Sequence, residues 1–164
     1  MAKLRSIEGI TTNSLISGHM YYFKYIAEPE NEYYDMFPLI FMTRKKGTLF
    51  EGVNFHYMSI PRRNTLYENL QRFLSDKVID GNTRLRVKAF RELIFRSIPL
   101  RDGKIAFHRY QYANIASKIL RIEPENWSTA INQKGAELFR RGQGGRMNKK
   151  QIWRETNLKS RGIR

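Results

Sequence analysis

From Gly18 onward the chain alternates between short apolar runs and turn signals, whereas residues 1–17 are mostly polar without a clear period. The first stretch reads as an extended N-terminal arm. HMYYFKYIA (19–27) is rich in aromatics and lies between Gly18 and the turn-prone EPENE, a strand signature. PLIFMTRKKGTLFEGVNFHYMSI (38–60) holds two apolar runs around Arg44-Lys45-Lys46-Gly47, which predicts a β-hairpin. Gly52 inside the second run marks a bulge or a close backbone approach. Pro61 suits the first turn of a helix, and Leu66, Leu70, Phe73 and Leu74 keep helical spacing toward Asp80-Gly81-Asn82. Thr83 can cap a second helix, with Leu85, Ala89, Phe90, Leu93 and Ile94 on its apolar face. A third helix is expected over 104–120, where Ile105, His108, Tyr112, Ile115, Ala116 and Ile119 form a stripe. EPENWSTAI (123–131) adds a turn and a short apolar run anchored by Trp127. The expectation is an α+β protein: a small antiparallel β-barrel, SH3-like, then about three helices and an extended basic C-terminal tail. The divisions fall at 1–17 (arm), 18–133 (α+β core) and 134–164 (tail).

Charge sharpens this picture. The 164 residues carry 30 Lys plus Arg against 15 Asp plus Glu, a formal net charge of +15. Self-repulsion on that scale calls for an acidic partner, with nucleic acid first and an acidic protein surface or anionic membrane next. The last 31 residues concentrate the charge: Lys134, Arg140, Arg141, Arg146, Lys149, Lys150, Arg154, Lys159, Arg161 and Arg164 against Glu137 and Glu155, or 10 − 2 = +8. Such a glycine-rich segment is not expected to fold alone. Trp153 stands in it as an aromatic anchor, able to stack on a base or to fill a pocket on a neighbouring subunit. In the helix over 83–97, Arg84, Lys88 and Arg91 share one exposed face, with Arg86 and Arg96 elsewhere. This is a phosphate-gripping face or simply a solvated one.

Catalytic chemistry finds little purchase. There is no cysteine, which excludes disulfides, thiol nucleophiles and zinc ribbons. Glu28, Glu30, Glu32 and Asp35 form an acidic patch, but three of them lie in a proline-containing turn, better suited to a solvated loop or a dock for a basic tail than to metal catalysis. His19, His56 and His108 have no ligand spacing and sit among apolar residues, as core histidines do. GQGGR (142–146) lacks the strand before it and the Lys-Ser/Thr after it that a phosphate loop requires. No apolar run reaches the roughly 20 residues of a membrane helix, and MAKLRSIEGITTNS shows no signal peptide. A soluble, non-enzymatic intracellular protein is expected, with no cofactor, no metal, no membrane and no small-molecule substrate.

One series of motifs goes further. GHMYYFKY (18–25), YYDMFPL (33–39), GVNFHY (52–57), TRLRV (83–87) and EPENW (123–127) together resemble a family of tailed-phage virion proteins, the DNA end protectors of phages of the T-even type. The resemblance spans about residues 18–131 in matching order. It implies a non-catalytic virion protein, assembled in the host cytoplasm, that attaches to double-stranded DNA ends during head completion and shields them from host exonuclease. Met58-Ser59-Ile60 stand where the family usually has Leu-Pro after His-Tyr, and the basic tail looks peculiar to this chain. Tyr33, Tyr34, Asp35, Phe37, Pro38, Gly52, Asn54, His56 and Trp127 are then structural: Asp35 holds a turn, the aromatics pack over the barrel mouth, and Pro38 starts a strand. The alternative is a subunit of neck, tail or baseplate whose tail laces to other virion proteins. A ribosome-type RNA binder fits the charge but not the motifs, and a nuclease comes last.

Overall fold

A computed structural model describes residues 9–27, 33–75, 83–97, 106–133, 138–140 and 146–147. Strands β1 (Ile10–Thr12), β2 (Met20–Tyr22), β4 (Leu39–Lys46), β5 (Leu49–Asn54), β6 (Phe107–Gln111) and β7 (Ile119–Ile122) form one antiparallel sheet in the order β1-β7-β2-β4-β5-β6. A three-stranded sheet is made by β3 (Tyr33–Asp35), β8 (Leu138–Arg140) and β9 (Arg146–Met147), in the order β3-β8-β9. The helices are α1 (Ile60–Ser75), α2 (Thr83–Ser97) and the short α3 (Trp127–Asn132).

Strand alternation divides the buried residues between two cores. Met20, Tyr22, Leu39, Phe41 and Val53 pack against Leu66 and Leu70 of α1, Phe90 and Ile94 of α2, and Trp127 and Ile131 of α3. Tyr21, Ile40, Met42, Phe50 and Tyr110 point to the other face, where Leu15, Phe23, Tyr25 and Ile119 complete a second cluster. Edge-on aromatic contacts hold the helix side: Phe41 lies 5.1 Å from Phe90 and 5.7 Å from Trp127 between ring centroids. Each such side chain contributes roughly 1.5–3 kcal/mol by leaving water. With both faces covered, Leu39–Met42 of β4 is a continuous apolar run, and the hairpin forms as the sequence predicts. Gly47 turns it at φ +59°, a left-handed conformation that suits glycine. Gly52 fulfils both expectations: the register slips between Met42 and Arg44, and a Cβ on Gly52 would sit 2.6 Å from the Phe41 carbonyl oxygen.

Four expectations are corrected. The sheet does not close into an SH3-like barrel: β1 and β6 are its edges, and a helical layer already covers one face. The helix expected over 104–120 is not formed by residues 107–120. Phe107–Gln111 instead pairs with β5, Gly52 opposite His108 and Phe50 opposite Tyr110, a 3-10 turn covers Tyr112–Asn114, and β7 follows. The helical spacing there coincides with a two-residue alternation, and the long strand β5 supplies a partner that local sequence does not reveal. Leu74, placed on the apolar face of α1, is exposed. Finally, the C-terminal segment is not wholly a free tail. Leu138–Arg140 pairs with Tyr33–Asp35, because an apolar strand meets an unfilled edge. At the other end, Ile10–Thr12 of the expected arm lies beside β7.

Candidate nucleic-acid interface

The two most distinctive motifs meet in one buried network. Asp35, at the end of β3, is 3 % exposed. Its Oδ1 accepts the Phe37 backbone N–H at 3.0 Å, the turn expected of an aspartate there. Its Oδ2 accepts from Asn54 Nδ2 at 3.0 Å and from His56 Nδ1 at 2.6 Å. A carboxylate only accepts, so Nδ1 is the protonated ring nitrogen. Asn54 Oδ1 in turn caps the 3-10 turn Phe55–Tyr57 by accepting from the His56 N–H at 3.0 Å. The Tyr57 hydroxyl accepts the Asp35 N–H at 3.2 Å, and burial, with Asp35's charge adding, pushes that phenol well above its usual range. Asp35 is therefore no member of a solvated acidic patch; Glu28, Glu30 and Glu32 lie outside the described residues. His56 is a core histidine, as expected. An aspartate–histidine pair can in principle move a proton, but side-chain exposures of 1 % and 8 % close this one to a polymeric substrate.

Arg63 of α1 is a buried cation. It donates to the Met58 carbonyl at 3.0 Å and to the Ile131 carbonyl at 2.8 Å, tying the start of α1 to the end of α3. Burial pulls it down to about 10, with Asp35's charge opposing, so it stays cationic at neutral pH. Trp127 anchors the end of β7 by donating from Nε1 to the Ile122 carbonyl at 2.8 Å.

The exposed chemistry is basic. Arg44, Glu51 and Arg109 are cross-strand neighbours on β4, β5 and β6, so all three leave the same sheet face. Glu51 Oε1 accepts from Arg44 Nη2 at 2.8 Å and from Arg109 Nε at 2.9 Å. Burial opposes ionisation of Glu51, but hydrogen bonds and charge from the two guanidiniums outweigh it and hold the carboxyl below its usual range. The Arg109 side chain is nonetheless 72 % exposed. One pair further along, Lys46 stands opposite Leu49 on this face, exposed at the hairpin tip. Phe107, two residues before Arg109, carries the Arg91 guanidinium of α2 at 5.4 Å over its ring. Lys45 leaves the other face, over Tyr112 at 5.2 Å.

Of the residues expected to bind, Lys88 and Arg91 are exposed on α2, with Lys88 4.0 Å from Glu92. The side chains of Arg84, Arg86, Arg140 and Arg146 lie outside what is described, although α2, β8 and β9 place their backbones. Arg141, Lys149, Lys150, Trp153, Arg154, Lys159, Arg161 and Arg164 lie outside the described residues. Tyr33 and Tyr34 form β3, their side chains likewise undescribed, while Phe37 stacks on Tyr22 at 6.3 Å and Pro38 immediately precedes β4. The cluster of Arg44, Lys46 and Arg109 escaped the sequence reading. Arg44-Lys45-Lys46 registers there only as a turn, and a helix over 104–120 would carry Arg109 away from it. Period-two alternation in HRYQY, with His108, Tyr110 and Tyr112 set against Arg109 and Gln111, is the signal that finds it. Among the described residues no three His, Cys, Asp or Glu side chains converge to hold a metal ion.

A family model described as Phage T4 terminal DNA protecting protein matches residues 3–156. It extends beyond the motif series at both ends and takes in the basic segment as far as residue 156. No curated protein and no solved structure matches.

Proposed function

Since the chain belongs to the phage T4 terminal DNA protecting protein family, we propose that it binds the ends of packaged phage DNA during head completion and shields them from host exonuclease. The protection is steric and electrostatic, without catalysis. The observation that carries this reading is the family match over residues 3–156 in a chain of net charge +15. A protein of that charge releases counterions from each phosphate it neutralises, which supplies affinity without base recognition. Asp35 and His56, the one close acid–base pair in the described core, are engaged in holding a turn and a strand end together. The protein assembles into the virion in the host cytoplasm, and no described helix is long and apolar enough to cross a membrane.

Digestion of linear duplex DNA by an exonuclease, with and without full-length protein at near-physiological salt, tests this. The expected result is delayed digestion, competed by linear but not by circular duplex. Digestion at the same rate with folded protein present would overturn the reading. A second reading, a neck, tail or baseplate subunit laced to other virion proteins, draws on the pairing of β8 with β3, since this segment already binds by strand addition. It predicts co-assembly with an acidic virion partner and little affinity for DNA.

A further inference from the structure

We propose that the phosphate-contacting surface is a ledge on the folded core: Arg44 and Arg109 braced by Glu51, Lys46 at the hairpin tip, and Arg91 of α2. This rests on the DNA-binding reading above and assigns that activity to a face distinct from the C-terminal segment. Glu51 Oε1 engages Arg109 through Nε at 2.9 Å, so among the described residues the two terminal nitrogens of an exposed guanidinium remain available to a phosphate. Arg44 is pinned through Nη2 to the same oxygen at 2.8 Å. One carboxylate on β5 thus fixes two guanidiniums on the strands that flank it, which lowers the ordering cost when a ligand arrives.

Register sets the extent of the ledge. Lys46 lies two residues from Arg44 on β4, about 6.7 Å along the strand, and Arg44 and Arg109 are two strands apart, about 10 Å across. Duplex DNA carries about one charge per 1.7 Å of axis, so a patch of this size meets several phosphates. Arg91 joins it from the helical layer, since its guanidinium covers Phe107 on the same sheet face as Arg109. Among the described residues of these strands on this face, together with Arg91, four cations stand with one acid, Glu51, whose charge both arginines already share. Charge complementarity favours a polyanion, and a planar guanidinium edge favours phosphate oxygens.

The test uses full-length protein and a blunt-ended linear duplex, with Kd followed over a series of salt concentrations. Lys46→Gln combined with Arg109→Gln should flatten the slope of log Kd against log salt by about 1.8, near 0.9 per lost contact. Lys24→Gln combined with Lys118→Gln removes the same charge from elsewhere on the core and should change the slope far less. Lys46→Gln with Arg91→Gln leaves both Glu51 pairs intact and should match the first pair, which answers the objection that losing Arg109 disturbs the sheet. If wild type binds and the ledge and control variants behave alike, the ledge is wrong while DNA binding stands. If wild type shows no affinity for duplex DNA, both readings fall together.

Discussion

Replacing Asp35 with alanine should be among the most damaging single changes in the core. It strips the acceptor from three donors at once: the Phe37 N–H, Asn54 Nδ2 and the His56 ring. Each buried donor left unpaired costs roughly 1–3 kcal/mol, a simple sum of about 3–9. The donors share one network, so their losses do not add, and water entering the space left by the carboxyl relieves part of them. Breaking a buried charge-bearing pair by removing one partner typically costs about 3–5 kcal/mol, the value expected here. Against a total stability of about 5–15 kcal/mol, that leaves a marginal fold. Asp35→Asn keeps the shape and an oxygen for Phe37, and its amide can donate to the other His56 tautomer, orphaning only Asn54. It should cost about 1–3 kcal/mol. Urea unfolding followed by far-ultraviolet circular dichroism and tryptophan fluorescence reads both. With a slope of about 2 kcal/mol/M, the alanine variant's midpoint should fall by about 2 M, with the slope unchanged. A loss below about 1 kcal/mol for alanine, or an asparagine variant no better than alanine, would refute the claim that the motif is held by these three hydrogen bonds.

Three further outcomes come from the same geometry. Gly52→Ala drives a methyl to 2.6 Å from a backbone oxygen of β4 and should lose about 1–3 kcal/mol in the same assay, toward the upper end because backbone must move; an unchanged midpoint would contradict the close approach. Trp127→Phe removes the bond to the Ile122 carbonyl and part of a fully buried ring, for a loss of about 1–3 kcal/mol in thermal or urea unfolding. A neutral result would show that the indole N–H is not needed there. Glu51, whose folded carboxyl titrates below the ordinary value of about 4.3, stabilises the protein above that pH and ceases to do so as pH falls through its lowered folded value. Melting temperature against pH should therefore decline less steeply in acid for Glu51→Gln than for wild type, and parallel curves would remove Glu51 from the acid response.

Some elements were legible because local pattern and tertiary role agree. The hairpin around Gly47 and the helices beginning at Ile60 and Thr83 carry their own periods and breakers. The stretch 104–120 was not legible, since Ile105, His108, Tyr112, Ile115 and Ile119 match a helical stripe while Phe107, Arg109 and Gln111 alternate as a strand. Only the presence of β5 beside it decides between them. The same error concealed the ledge, because Arg109 reaches Glu51 only through strand pairing. Asp35 could be read as a turn former from its neighbours, but not as the acceptor for side chains about twenty residues away.

The sequence by itself determined the α+β class, the absence of thiol chemistry, the excess of positive charge and, through YYDMFPL and GVNFHY in order, a resemblance that the family match sustains. These depend on composition and on contacts within a few residues, which a linear pattern records. The tertiary structure decided that the sheet stays open, that Leu138–Arg140 docks on Tyr33–Asp35, and that Asp35, Asn54 and His56 form one network. It also decided that Arg44 and Arg109 converge on a single carboxylate oxygen. Those outcomes depend on which strand edges meet and which buried polar groups must find partners, and the partners lie far away along the chain.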